Sequence, residues 1–88
     1  MADLLQQARA FIQALPHAHA LGMEMEDFGA GRATLAMNYD PRFVGDPLTG
    51  VIHGGAVSAL MDTASGAAVM GHPAAPGATA TIDLRIDY

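Results

Sequence analysis

The chain of 88 residues contains no cysteine, no lysine and no tryptophan, and only 15% of it is charged. Without cysteine there is no disulfide framework, no thiolate metal ligand and no thiol nucleophile. The only formal cations besides the N-terminus are Arg9, Arg32, Arg42 and Arg85, scattered along a chain with nine acidic residues and a net charge of −5. A nucleic-acid footprint needs clustered basic groups, so no nucleic-acid partner is expected. Low charge combined with 51% hydrophobic residues excludes a disordered chain. The length allows a single domain, 1–88, which would bury roughly 60–65% of its unfolded surface.

Two segments bear on location. The N-terminus places Asp3 ahead of its apolar residues and has no basic region before them, so it does not read as a signal peptide. The run 51–70 is long and apolar but holds His53 and Asp62. A mid-span Asp costs about 2.5–3.5 kcal/mol on insertion scales, which favours a buried helix over a membrane span. A cytoplasmic protein without a membrane partner is the expectation.

Hydrophobic periodicity orders the rest. Leu4, Leu5, Ala8, Phe11, Ile12 and Leu15 form one helical stripe, predicting an amphipathic helix over 3–15, with Asp3 as N-cap, Gln6 three residues on, and Pro16 as the stop. Leu21, Met23 and Met25, and then Ala33, Leu35 and Met37, alternate with more polar or smaller residues around Gly29-Ala30-Gly31. That predicts a hairpin over 21–39. Residues 40–50, with two Asp-Pro pairs, read as a loop, and so do residues 71–77. Between them, 55–70 is apolar nearly all round, the mark of a buried central helix. Residues 78–88 alternate again and predict a half-buried strand. The pattern is an α+β fold in which a sheet covers one central helix.

Chemistry concentrates in Gly50-Val51-Ile52-His53-Gly54-Gly55 and in Asp62. Paired glycines at a helix start expose backbone N–H groups to which the macrodipole adds positive charge, a place for an oxyanion or an anionic group. A plain helix entry has the same local sequence. Asp62, seven residues into an apolar helix, would have its pKa raised by low dielectric and so suits a general base. A structural carboxylate bonded to a backbone N–H or an Arg is the alternative. Gly55 and Asp62 lie about 10.5 Å apart along a helix at 1.5 Å per residue. One chain therefore cannot bring both to one carbonyl, whereas two antiparallel helices related by a two-fold axis can. His17-x-His19 lacks a third ligand and predicts no metal site. Phe43 and Val44 could line an apolar pocket or simply pack a loop.

The segment from Gly50 to Asp62 resembles the signature of PaaI-like hot-dog-fold acyl-CoA thioesterases: His-Gly-Gly, a short apolar spacer, then an Asp on the central helix. The helix, hairpin and following strand fall in that family's order, and the likeness runs over essentially the whole chain. It implies hydrolysis of an acyl-CoA thioester, with no cofactor, by a homodimer or homotetramer. Asp62 would be the general base or nucleophile, and the Gly55 N–H of the other copy would polarise the thioester carbonyl. His53 would sit beside the thioester, and Thr81 would position water. Gly54 and Asp46 would contribute to substrate binding; Asp46 stands where relatives often have an Asn. A hydratase of the same fold fits less well, because its acid/base His arrangement is not found. Hot-dog domains resemble a sheet of five or six strands wrapped around the helix. The expectation is therefore a partial domain lacking its C-terminal strands, with a catalytically silent assembly module as the competing function.

Overall fold

A computed structural model describes residues 3–74 and 77–88. Residues 75 and 76, part of the expected loop 71–77, and the first two residues of the chain lie outside the described residues. Helix α1 spans Leu4–Ala14. Asp3 caps it by accepting from the Gln6 N–H at 2.8 Å, as the sequence suggested. Leu15 breaks the helix in an extended conformation, φ −78° and ψ 117°. A residue before proline is sterically pushed to that region. Pro16 then opens a short second helix, α2, over Pro16–Ala20, which periodicity had not separated from the loop.

Strands β1 (Met23–Gly29) and β2 (Arg32–Met37) form the expected antiparallel hairpin. Its two-residue turn holds Ala30 at φ 54° and Gly31 at φ 75°. Positive φ at both central positions is what a type I′ turn requires. Met23 and Met25 face the core and are almost fully buried. Strict alternation would next turn Asp27 inward. A bulge between Met25 and Asp27 adds one residue and brings Phe28 opposite Ala33 instead. Helix α1 lies across β1, burying Ile12 and Ala8 on Met23 and Met25. Gln13 and Arg9, four residues apart on α1, donate to the carbonyls of Met23 (3.0 Å) and Met25 (2.8 Å). These two side chains satisfy backbone acceptors of β1 that would otherwise stand as an unpaired edge.

Part of the segment expected as a loop over 40–50 is ordered. A 3-10 turn (Pro41–Phe43) leads into β3 (Val44–Asp46), which pairs antiparallel with β4 (Val51–Ile52). Helix α3 follows over Gly54–Met70, one residue earlier than expected. It packs on the hairpin, mainly through β2, and the hairpin turn docks on its end by a Gly31 N–H bond to the Gly71 carbonyl at 3.1 Å. A side chain at Gly71 would stand 3.1 Å from the Phe28 ring, a tight contact that would push the ring aside by a few tenths of an ångström. Antiparallel strands laid against a central helix give an α+β arrangement.

Two expectations are corrected. α3 is not buried all round: Ala67 is its only buried residue, and Met61 and Val69 are about half exposed. Strands sit about 4.8 Å apart while a helix with side chains is about 10–12 Å across, so a two-stranded ribbon covers one flank only. Nor do residues 78–88 form a strand. No strand runs beside them among the described residues to supply ladder partners. They instead pass along α3 in the opposite direction, with Thr79 against Gly66, Thr81 bonded to Asp62, and Tyr88 at Gly54. The radius of gyration, 14.0 Å, exceeds the ~12 Å of a compact chain of this length, in keeping with that open packing.

Candidate active site on the central helix

The start of α3 is built by β3 and β4. The His53 N–H donates to the Phe43 carbonyl at 2.7 Å, and a side chain at Gly45 would touch the His53 backbone at 3.0 Å. His53 is thereby held as the N-cap of α3, and its Nδ1 accepts from the Gly55 N–H at 2.8 Å. An N–H can only donate, so Nδ1 is the acceptor in this bond and Nε2 is left as the ring's donor. The Gly55 N–H, expected to be open to a ligand carbonyl, is thus engaged within the chain. A carbonyl can claim it only if the imidazole turns away. A cavity of about 340 Å³ opens beside this cap, lined by His17, Arg42, Phe43, Val44, His53 and Gly55, among others.

The Arg42 guanidinium at that cavity is paired with Asp40 at 2.8 Å, and its carbon lies 5.8 Å from the Phe43 ring centre. The side-chain hydrogen bonds from Arg42, with its backbone N–H in support, hold the pKa of the partly exposed Asp40 carboxyl below its ordinary value. Asp46 stands apart from the cavity. Its carboxylate accepts from the Leu48 N–H and the Thr49 hydroxyl, both at 3.0 Å, closing the turn between β3 and β4. The structure therefore gives Asp46 a turn-forming role and does not bring it to Gly55.

Asp62, half-buried on α3, faces a different cavity, of about 530 Å³, bounded by Phe11, Ile12, Thr63, Met70 and Thr79. The Thr81 hydroxyl donates to its Oδ1 at 2.5 Å. Two expected residues thus meet, and one carboxylate oxygen is tied down. Gly54 is engaged by residues that sequence reasoning had not singled out. Its carbonyl accepts from the Tyr88 hydroxyl at 2.8 Å and from the Ser58 hydroxyl at 2.9 Å. The spacing from Thr81 to Tyr88 is odd, so a strand would place them on opposite faces. Both face α3 because the segment bends at Ile82.

A carboxylate held by a hydroxyl thus stands on the central helix, two turns from a glycine-rich helix start. Residues 49–88 match the family model of the thioesterase superfamily. The chain is 32% identical over 91 residues to the medium/long-chain acyl-CoA thioesterase YigI of Salmonella typhimurium. The corresponding protein of Escherichia coli K12 matches at the same identity. Each alignment covers 89% of this chain and 59% of the relative, so the chain spans about three-fifths of the length of the curated relatives it matches. No solved structure gives a significant match. Among the described residues, no helix is long and apolar enough to cross a membrane.

Proposed function

We propose that this chain carries the catalytic helix of an acyl-CoA thioesterase, hydrolysing the thioester to free acid and CoA at a site shared by two copies. The observation that supports it most is the Asp62 carboxylate with Thr81 on Oδ1, at the mouth of a cavity whose far wall is apolar. With Oδ1 held, Oδ2 faces water or the thioester. As a general base, it takes a proton from water as the oxygen attacks the carbonyl carbon. The resulting oxyanion needs donors, and collapse expels the CoA thiolate, which takes up a proton. The donors this chain offers are His53 Nε2–H and, once His53 turns, the Gly55 N–H. They lie about two helical turns from Asp62, roughly 10.5 Å. The reading therefore pairs Asp62 of one copy with the helix start of another, in a homodimer or a homotetramer.

The engaged Gly55 N–H favours one competing reading, an assembly module without turnover. A thiol-reporting assay over a panel of acyl-CoAs separates the two. Hydrolysis should be abolished in Asp62→Asn. A wild-type rate no higher than that of the variant would leave only the assembly role. Light scattering on the active species should give at least a dimer, and an active monomer would refute the shared site.

A further inference from the structure

The Gly54 carbonyl and the Gly55 N–H belong to one planar peptide unit at the start of α3. Neither glycine has a Cβ to restrict the rotation of that plane, so its orientation depends on outside holds. Both ends are held. The N–H donates to His53 Nδ1 at 2.8 Å. The carbonyl oxygen lies 2.9 Å from the Ser58 hydroxyl and 2.8 Å from the Tyr88 hydroxyl, and these two hydroxyls lie 2.5 Å from each other. Two hydroxyl protons thus serve three oxygen–oxygen contacts. Where the carbonyl takes only one of them, the second hydroxyl donates to the first and strengthens its bond. The Ser58 bond is the common back-bond of a helical serine to the carbonyl one turn earlier. The Tyr88 bond is not local, because its donor stands 34 residues further along the chain.

We infer that Ser58 and Tyr88 are positioning residues that polarise the Gly54–Gly55 peptide and aim its N–H as an oxyanion donor. The use of that N–H rests on the hydrolase reading, whereas its polarisation is a property of the folded chain alone. A hydrogen bond to a peptide oxygen draws electron density toward the oxygen through the amide resonance and leaves the N–H more positive. Because the amide is planar and trans, fixing the oxygen also fixes the direction of the N–H. Hydrogen bonds in a chain strengthen one another by roughly 10–30% per bond. An oxyanion donor is worth about 10²–10³ in kcat, and the same fraction of that factor's exponent is a loss of about two- to eightfold for each hydroxyl removed. The gain is made only where negative charge develops on the substrate, so it falls on kcat and leaves KM unchanged.

Tyr88→Phe keeps the ring and removes the hydroxyl, and Tyr88 is 78% exposed, so the variant leaves the core intact. In isotope-labelled protein at one pH, the NMR signal of the Gly55 amide proton should move upfield in Tyr88→Phe and in Ser58→Ala. Ser58→Thr keeps a hydroxyl that reaches the same carbonyl and should hold the parent shift. An unmoved Gly55 amide in both hydroxyl-deleting variants overturns the inference, whatever the rates. A Thr81 amide that moves together with it in Tyr88→Phe also overturns the inference, because Tyr88 would then be only a pin for residues 77–88. In the active chain, kcat for thiol release should fall by about two- to eightfold in each variant at unchanged KM, with Ser58→Thr restoring it. A raised KM with kcat intact overturns the positioning role. Amide shifts without turnover in the parent chain support the polarised peptide while ending the hydrolase reading, so the two failures are distinguishable.

Discussion

His53 joins stability and chemistry in one side chain, and substitution can separate them. Its Nδ1 satisfies one of the N–H groups left open in the first turn of α3. His53→Ala removes that acceptor. Losing an N-cap costs about 0.5–2 kcal/mol, and an exposed cap such as this one belongs near 1 kcal/mol. For a chain of this size that lowers Tm by about 4–8 °C. His53→Asp should do the reverse, because a carboxylate caps well and gains about 0.3–1 kcal/mol from the helix dipole. Urea unfolding followed by far-UV circular dichroism gives the order directly, with the midpoint rising from Ala to His to Asp at constant slope. His53→Asn should keep the cap while losing the Nε2–H donor. Its hydrolysis should therefore fall by about a hundredfold or more, the usual loss on removing one oxyanion donor. A His53→Ala midpoint equal to wild type, or an Asp variant less stable than Ala, would show that the cap does not hold the helix start.

Two further perturbations address the scaffold. Arg9→Ala and Gln13→Ala each leave a part-buried β1 carbonyl unsatisfied and should cost about 1–3 kcal/mol apiece, read from urea midpoints; a loss no larger than that of an exposed-site control such as Glu24→Ala would refute the edge-capping role. Ala30→Asn should stabilise the hairpin by roughly 0.5–1 kcal/mol, because alanine at positive φ is strained and Asn-Gly is the preferred I′ pair; a lower Tm would contradict the turn geometry.

Much of this molecule was legible in residue spacing because local and tertiary signals agree. Asp3, the α1 stripe and Pro16 mark α1 to within a residue, since capping and proline sterics act locally. The Met23/Met25 and Ala33/Leu35/Met37 alternation locates the hairpin, and His53-Gly54-Gly55 the start of α3. What escaped depends on long-range geometry. The bulge that swaps Phe28 for Asp27 leaves no periodic trace. β3 and β4 are too short to show alternation. The strand expected over 78–88 was a sound reading of period two, but a strand is defined by its neighbours as much as by its sequence. Asp62 and Thr81 were both read as site residues through the family resemblance, but residue spacing gave no sign of the direct bond between them. The His53–Gly55 bond is short-range, yet it was hidden because a histidine can cap, donate or stand free with equal ease.

The course of residues 77–88 along α3 has a thermodynamic consequence for Asp62. A paired strand opens only by breaking a ladder, whereas this segment is fastened at separate points, chiefly Thr81 on Asp62 and Tyr88 on Gly54. Its residues are largely exposed. Such a segment detaches by a sub-global opening whose free energy is set by those few bonds, well below that of unfolding the core around Ile12, Met23 and Met25. The second carboxylate oxygen then becomes free on the timescale of that opening. The arrangement of the Asp62 site is thus governed by a local equilibrium that the overall melting temperature does not report.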